Sequence, residues 1–380
     1  MTCETTLGPN AELIGAAGSR SRLSTPALVL DLNALERNIA RMAGFSREQR
    51  VALRPHAKTH KSVRIARMQV EAGALGVCCA TLGEAEVMVG GGVEGVLITS
   101  PVVPPAKVAR LAALNTRAAG LMVVADHPDN VAALSRASAA AGKPLRVLVD
   151  LDTGIHRTGV RDAEAAATLA RQIGASSSLE FRGVQAYAGH LQHVEDFAAR
   201  RSLAEAQHRT LAELVERLTA EGRRPGIVTG AGTGTHAIDA AGPFTELQTG
   251  SYVFMDVEYN AVDLRGGTAR AFEPALFVAA TVVSANADGF VTLDAGLKAF
   301  ATGGPKPQPA RGAPAGSRYA FLGDEHGALI LPPGGRLAIG SVVECLTPHC
   351  DPTVNLYDRC HVVRGETLAD IWPVDARGAA

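Results

Sequence analysis

The 380-residue chain lacks several features that would place it in a class of protein at once. No apolar run is long enough to cross a bilayer, and residues 1–22 lack the apolar core of a signal peptide, so we expect a cytoplasmic protein without a membrane partner. The net charge is only −1, with 37 basic and 38 acidic residues, which gives no electrostatic reason to expect a nucleic acid. A small molecule is the expected partner.

Cysteine is also scarce. The six cysteines have neither the close paired spacing of a zinc site nor the density of a disulfide framework, so reduced thiols are expected. Cys78 and Cys79 stand in an apolar stretch, where a buried cysteine acts as a small hydrophobic residue. The full set is Cys3, Cys78, Cys79, Cys345, Cys350 and Cys360.

What the sequence contains is an alternation of short apolar runs with alanine-rich, helix-periodic segments. Hydrophobic residues make up 47% of the chain, enough for a large core. Eight strand and helix units predict an α/β protein with a (β/α)8 TIM-type barrel, in which catalytic residues stand at the C-terminal ends of the strands. An open doubly wound sheet is the alternative, because periodicity does not show closure. The predicted strands are Val51 to Pro55, Leu75 to Ala80, Gly95 to Ser100, Leu121 to Ala125, Leu145 to Leu151, Phe181 to Ala186, Gly226 to Thr229 and Glu246 to Phe254, and the helices between them include Ser62 to Ala72, Gly83 to Gly90, Ala106 to Leu114, Asp162 to Ile173 and Phe197 to Glu221.

The pattern changes after the eighth unit. Short runs rich in Val, Thr and Phe, together with the Gly- and Pro-rich stretch Gly303 to Gly316, predict a mainly antiparallel β domain with a long loop. Thr25 to Leu32 is expected to be a further strand that could pair with this domain. The predicted division is a barrel of residues 35–258 and a β domain of residues 1–34 and 259–380. Strands predicted in the β domain are Leu276 to Val283, Phe290 to Leu293, Ser341 to Leu346 and Arg359 to Val363.

The most informative segment is Arg54-Pro55-His56-Ala57-Lys58-Thr59-His60-Lys61, which follows the first predicted barrel strand. Several basic side chains crowded at the end of a buried strand repel one another and lose hydration, so we expect one lysine amine with a lowered pKa. A neutral amine is a nucleophile, commonly used for Schiff bases with carbonyl substrates or with pyridoxal phosphate. The alternative is a basic surface loop.

Two turns of small residues follow the last two barrel strands. Thr229 to Thr235 contains Gly232, Thr233 and Gly234, and the second turn contains Ser251 and Tyr252. Such turns expose backbone amides to an anion, and barrels often bind phosphate in the loops after strands seven and eight. The pair of turns predicts a phosphate cup.

His349 and Asp351 lie two residues apart, beyond the predicted strand Ser341 to Leu346. In extended backbone they would point the same way, with Cys350 facing elsewhere. An imidazole with a carboxylate suits Mn²⁺ or Zn²⁺ with open positions for water and substrate. A hydrogen-bonded turn without a metal is the alternative.

Further candidates stand at the ends of the fifth and sixth strands. His190 and His193 follow the sixth strand, where a histidine can transfer a proton near neutral pH, and a core imidazole bonded to a carbonyl is the alternative. Arg157 follows the fifth strand. An arginine beside the pyridine nitrogen of a cofactor keeps that nitrogen unprotonated.

These segments together resemble the pyridoxal phosphate enzymes of the alanine racemase-like fold (fold type III), and specifically the D-threonine aldolase and D-serine dehydratase group, over nearly the whole chain. The resemblance implies that Lys58 carries the cofactor and that Lys61 is a neighbouring cation. Asp351 stands where the dehydratases usually have a cysteine, which resembles the aldolase branch, including 3-hydroxy-D-aspartate aldolases. The segments are Thr25 to Leu32, Arg54 to Lys61, Gly230 to Gly234, Gly250 to Asp256, Asp294 to Lys298, Asp324 to Gly327 and His349 to Thr353.

The resemblance implies a homodimeric lyase that uses pyridoxal 5'-phosphate and a divalent metal to cleave a D-3-hydroxy amino acid into glycine and an aldehyde. It implies His349 and Asp351 as ligands of Mn²⁺, with Zn²⁺, Mg²⁺ or Co²⁺ as alternatives, and His193 as the base. Tyr187 and Arg157 would orient the cofactor ring. The alternatives are a dehydratase that releases ammonia and a 2-oxo acid from D-serine or 3-hydroxy-D-aspartate, an amino-acid racemase, and a non-catalytic pyridoxal phosphate-binding protein.

Overall fold

The computed structural model describes residues 7–267 and 270–380, so Cys3 lies outside the described residues. The first strand, β1 (Ala27–Asp31), leads directly into helix α1 (Leu32–Gln49). The helix begins there because the Asp31 carboxylate accepts the Ala34 N–H at 3.1 Å, which satisfies an amide that the first turn leaves unpaired.

Eight parallel strands then form a curled sheet in the order β2-β9-β8-β7-β6-β5-β4-β3. The two ends of this order meet in an isolated parallel bridge between His56 and Cys78, which completes the barrel. Most side chains of these strands are buried, as expected where helices cover a parallel sheet. The strands are β2 (Ala52–Leu53), β3 (Cys78–Cys79), β4 (Leu97–Ile98), β5 (Met122–Ala125), β6 (Leu145–Leu151), β7 (Leu179–Ala186), β8 (Ile227–Gly230) and β9 (Glu246–Leu247).

Helices follow the strands and pack on the outside of the barrel. The second of them begins at a capping box, which the Thr81 hydroxyl and the Glu84 carboxylate form with the backbone of the first turn. The helices are α2 (Val63–Glu71), α3 (Leu82–Gly90), α4 (Pro105–Arg117), α5 (Pro128–Ala141), α6 (Ala163–Ala175), α7 (Phe197–Ala220), α8 (His236–Asp239) and α9 (Val257–Ala261).

The second sheet has nine strands and is mainly antiparallel. Strand β1 belongs to it, as the sequence predicted, and pairs antiparallel with β10 and parallel with β16. A short helix, α10 (Cys350–Val354), follows β15. The remaining strands are β10 (Leu276–Ser284), β11 (Phe290–Leu293), β12 (Gln308–Arg311), β13 (Arg318–Phe321), β14 (Gly327–Ile330), β15 (Val342–Leu346), β16 (Arg359–Arg364) and β17 (Thr367–Pro373).

The predicted barrel and β domain are confirmed, and two details of the prediction are wrong. The Gly- and Pro-rich stretch contains strand β12, because Pro309 is tolerated in an edge strand whose partner is β15 alone. The eighth predicted strand ends at Leu247, and the backbone then turns into a short 3₁₀ helix, Ser251–Val253. The apolar residues that suggested a longer strand, such as Val253 and Phe254, are buried in the core shared by the two sheets.

Five cysteines fall within the described residues, and all five are free and buried. Burial raises the pKa of Cys78 and Cys79 well above the ordinary value, so both remain thiols packed in the core. None of the described helices is both long enough and apolar enough to cross a bilayer.

Candidate active site

A cavity of about 310 Å³ opens at the C-terminal ends of the barrel strands, where the second sheet meets the barrel. A larger open groove of about 790 Å³ lies beside it, between the loop after β6 and helix α7, and shares Arg157 and Thr158 with it. The smaller cavity is the candidate site, because it holds the lysine, the imidazoles and the carboxylate of the predicted constellation. It is lined by His56, Lys58, Thr59, Ala80, Thr99, Ser100, Arg157, Thr158, Gln185, Tyr187, His193, Gly232, Thr233, Gln248, Gly250, Ser251, Tyr259, His349 and Asp351.

Lys58 stands in a 3₁₀ turn, Ala57–Thr59, directly beyond β2. Its ammonium nitrogen lies 3.5 Å from Asp351 Oδ2. Burial lowers the pKa of Lys58, but the charges of Asp351 and Tyr187 more than offset this, and the net pKa is raised. The expectation of a lowered lysine pKa was therefore wrong, because it counted the neighbouring cations and not a carboxylate supplied from a distant part of the chain.

Arg157 and Tyr187 also line the cavity. The guanidinium carbon of Arg157 lies 5.6 Å from the centre of the Tyr187 ring, within the range of a cation–π contact. The loop that carries Arg157 is tied to the barrel interior, because the Thr158 hydroxyl donates to Asp150 Oδ2 at 2.7 Å and the Gly159 amide donates to Asp126 at 3.0 Å.

The two small-residue turns meet at the base of the cavity. In the part of the chain that the structure describes, the amides of Thr233, Gly250 and Ser251 donate to no protein acceptor. A side chain at Gly250 would collide with Thr59, since its Cβ would stand 2.6 Å from Oγ1. Free amides with no side chain in front of them suit an oxyanion such as a phosphate.

Two predicted residues of the phosphate cup have other partners. The Gly234 amide donates to Gln192 Oε1 at 3.0 Å, and the Tyr252 amide donates to the Thr233 hydroxyl at 3.0 Å. Neither residue lines the cavity. Both amides are therefore occupied by side chains of the protein, and a place beside the phosphate stays a prediction for these two residues.

His349 and Asp351 reach the cavity from the second sheet. The predicted extended backbone holds only for His349, because α10 begins at the next residue and Asp351 lies in its first turn. The burial of Asp351 raises its pKa, but the charges of Lys58 and His349 more than offset this, and the net pKa is lowered. Asp351 is therefore an anion within reach of a cation.

Sequence reasoning missed the roles of Asp256 and Glu258. The buried Asp256 carboxylate accepts the Cys350 N–H at 2.9 Å and lies 3.0 Å from His349 Nδ1, while Glu258 Oε2 lies 3.4 Å from the same nitrogen. The bond at Nδ1 leaves His349 Nε2 for another partner. The sequence contained a sign of their roles, because both acids follow the last predicted barrel strand and catalytic residues of barrels cluster at strand ends.

His193 lies beside this group, in the loop after β7. Its ring centre is 6.1 Å from that of His349 and 4.7 Å from that of Tyr259, and its Nδ1 is 3.8 Å from Glu258 Oε2. Burial lowers the pKa of His193. His190 points away from the cavity, where its Nε2 lies 3.2 Å from Gln207.

Asp256, His349 and Cys350 also bring three ligand-type atoms within 4.8 Å of one another. Cys350 is a poor ligand in this place, because burial raises the pKa of its thiol well above the ordinary value. Asp256 already serves the backbone and an imidazole nitrogen. As a metal ligand beside His349, the charged Asp351 is a better candidate than Cys350 or Asp256, since it faces the cavity.

Comparison with known proteins identifies the family of the chain. The protein-family model of the alanine racemase N-terminal domain matches residues 30–258, and the family model of a putative serine dehydratase domain matches residues 275–363. D-threonine aldolase of Arthrobacter sp. is 41% identical over 94% of both chains. A 3-hydroxy-D-aspartate aldolase of Paracoccus denitrificans is 37% identical over 94% of this chain and 93% of its own. D-threo-3-hydroxyaspartate dehydratase of Delftia sp. is 33% identical over 73% of both chains.

A solved structure shows the same fold. The crystal structure of D-threonine aldolase from Filomicrobium marinum has a TM-score of 0.90 and 39% identity, covering 94% of this chain and 96% of that one. The chain belongs to the alanine racemase-like enzyme family, in the branch that contains the D-threonine aldolases. Membership of this family implies pyridoxal phosphate as the cofactor.

Proposed function

We propose that this chain is a lyase that depends on pyridoxal phosphate and a divalent metal, and that it cleaves D-3-hydroxy amino acids such as D-threonine into glycine and an aldehyde. The observation that carries the proposal is the approach of Lys58 to Asp351, 3.5 Å apart across the candidate site. A lysine for the cofactor and a ligand for a metal, supplied by different sheets, face one small cavity.

The cofactor fits the barrel side of the cavity. Lys58 would hold it covalently, Tyr187 and Arg157 would orient its ring, and the free amides of Thr233 and Ser251 beside Gly232 would hold its phosphate. When bound, pyridoxal phosphate supplies an electron sink for a carbanion on the substrate Cα.

A metal fits the opposite side. His349 and Asp351 would bind it, and Asp256 would fix the His349 ring through Nδ1, so that Nε2 faces the ion. An imidazole with a carboxylate favours Mn²⁺ first, with Zn²⁺, Mg²⁺ or Co²⁺ as alternatives. Held there, the ion supplies a Lewis acid that acidifies the β-hydroxyl of the substrate.

His193 is the base of the proposed reaction. It would take the proton of the β-hydroxyl, so that the aldehyde carbonyl forms as the Cα–Cβ bond breaks. Its ring packs against Tyr259 and faces His349, which places it on the metal side of the cavity. Tyr259 is buried and lines that side of the cavity.

Incubation with D-threonine tests the proposal. We expect glycine and acetaldehyde in equal amounts, since a retro-aldol step makes both from one molecule. Formation of 2-oxobutyrate and ammonia would instead identify a dehydratase, and a change of stereochemistry without fragmentation would identify a racemase. A panel that adds D-phenylserine, 3-hydroxy-D-aspartate and D-serine would then rank the side chains that the cavity accepts.

The proposal includes a cytoplasmic homodimer. The family resemblance supports the dimer. The absence of a disulfide framework from the sequence supports the cytoplasmic location. Light scattering of the purified chain tests the dimer, and a monomeric mass with full activity would refute it.

A further inference from the structure

The last residues of the chain leave the second sheet and return to the barrel, next to the turn that carries Lys58. This segment, residues 374–380, is called the C-terminal clasp below. Ala376 is fully buried within the core of the barrel. The Asp375 carboxylate accepts the Val63 N–H at 2.7 Å and so caps α2, and the Thr81 hydroxyl donates to the carbonyl of Ala379 at 3.2 Å.

Lys61 connects the clasp to the turn. Its backbone carbonyl accepts the Ala376 N–H at 2.9 Å, and its own N–H donates to the Ala57 carbonyl at 2.7 Å, which closes the turn around Lys58. The backbone of Lys61 has a φ of 50°, a left-handed conformation that a lysine adopts only when its surroundings hold it.

The half-buried Lys61 side chain makes an ion pair with the buried Glu84 carboxylate, at 2.9 Å. The same carboxylate accepts the Ala80 N–H at 2.7 Å, and Ala80 lines the candidate site. The clasp itself fits closely over α3, because a side chain at Gly83 would come within 2.6 Å of the Ala380 nitrogen. One connected set of contacts therefore runs from the clasp through Lys61 and Glu84 to the cavity wall.

We propose that Lys61 is a positioning residue, which, held by Glu84 and the C-terminal clasp, sets the place of Lys58 in the site. The inference rests on the proposed function, in which Lys58 holds the cofactor. The clasp follows the sheet that carries His349 and Asp351, so it also fixes Lys58 relative to the metal side. A displacement of the Lys58 amine by about 1 Å would weaken its bond-forming approach to the cofactor aldehyde.

The test compares the full-length chain with Lys61→Met, Lys61→Arg and the double variant Lys61→Met/Glu84→Gln. Each protein is stripped of cofactor and titrated with pyridoxal phosphate, following the visible absorption, and hydrogen exchange of residues 57–61 and the thermal midpoint are measured in parallel. The control is Arg110→Met. Arg110, on α4, forms a surface ion pair with Glu86, which lies on α3 together with Glu84.

Lys61→Met is expected to weaken cofactor affinity by about tenfold to a hundredfold, because Lys58 is then misplaced. Hydrogen exchange in residues 57–61 should become faster. Lys61→Arg should restore affinity because it can keep the pair with Glu84. In the double variant no buried charge is left without a counter-ion, so the midpoint should recover while cofactor affinity stays low. Arg110→Met should behave as the native chain.

Three results would overturn the inference: native affinity in Lys61→Met, affinity that recovers together with the midpoint in the double variant, or Lys61→Arg as weak as Lys61→Met. Failure of the proposed function looks different. In that case the native chain itself would take up no cofactor on Lys58, whereas the exchange of the turn would still report on the clasp.

Discussion

The two sides of the candidate site are built from opposite kinds of group. The barrel side presents cations and backbone amides, with Lys58, Arg157 and the turn at Ser251. The side supplied by the second sheet presents an anion and an imidazole, Asp351 and His349, backed by carboxylates. One side suits an anionic cofactor and the other a metal cation, so the two binding tasks are separable.

The supports of the two sides differ as well. Backbone geometry and the C-terminal clasp hold the barrel side, where turn residues leave amides free. A buried carboxylate, Asp256, holds the other side by orienting an imidazole. Changes to the barrel side should therefore affect cofactor binding, and changes to the metal side should affect metal dependence.

Replacement of Lys58 by Ala is expected to have the largest effect. The variant should lose the visible absorption of bound cofactor and at least about 10³-fold in turnover, because the covalent link and the exchanging amine disappear together. Absorption spectra and product assays check this. Lys298→Ala, at an exposed lysine paired with Glu325, is the matched control. An unchanged spectrum in Lys58→Ala would assign the cofactor to another lysine.

Replacement of Asp351 by Ala should separate the two sides. We expect a loss of roughly 100-fold or more in activity at limiting metal, with cofactor absorption retained, since a metal ligand is lost and the phosphate cup is not touched. Metal titration after chelator treatment measures this, with Asp358→Ala at an exposed acid as the control. Activity that ignores the chelator in both the native chain and the variant would remove the metal from the proposal.

Replacement of Asp256 by Asn tests the support of the metal side. The amide cannot accept all the bonds that the carboxylate accepts, so the His349 ring loses its orientation and metal affinity should fall about 10- to 100-fold. Excess metal should restore most of the activity. Asp196→Asn, at the N-cap of α7, controls for the loss of a helix cap. Unaltered metal affinity would reduce Asp256 to a purely structural residue.

The sequence predicted the barrel side better than the metal side, for a physical reason. Strand ends of a barrel converge on one rim, so periodicity predicted that the segment of Lys58 and the glycine turns lie together, and the family resemblance added the roles of Lys58 and Tyr187. The approach of Asp351 depends on how a second sheet packs on the barrel, which no local pattern encodes. The sign of the Lys58 pKa shift was wrong for the same reason.

The finer details of the site have equally specific causes. The amides of Gly234 and Tyr252 are occupied by Gln192 and Thr233, partners that lie far away in the sequence or in the other turn. The backbone at Asp351 is helical because Pro352 and Thr353 continue a turn that begins at Cys350, where spacing alone suggested a strand. Turn type and hydrogen-bond partner are decided by tertiary contacts, and composition does not specify them.

The smallest effect on activity is expected from Asp150→Asn. Asp150 lies in β6, where it accepts the hydroxyl of Thr158, next to Arg157. Burial raises the pKa of Asp150 from 3.8 to about 6, despite hydrogen bonds from Gln185 and Thr158. The folded state therefore binds this proton more tightly than the unfolded state, and the resulting stabilisation is complete below the ordinary pKa and is lost as the pH rises through about 6. An asparagine keeps the shape and cannot ionise, and its single side-chain oxygen keeps one of the two hydrogen bonds, the one from Thr158.

The free energy of unfolding of Asp150→Asn, relative to that of the native chain, should thus rise between pH 4 and pH 8 by up to about 3 kcal/mol. Denaturant unfolding at several pH values measures it, with the exposed Asp129→Asn as the control. Thr158 keeps a partner at residue 150, so the Arg157 loop and cofactor binding should change little. Parallel stability curves for the variant and the native chain would show that Asp150 titrates normally, and a large loss of cofactor affinity would make it part of the barrel side itself.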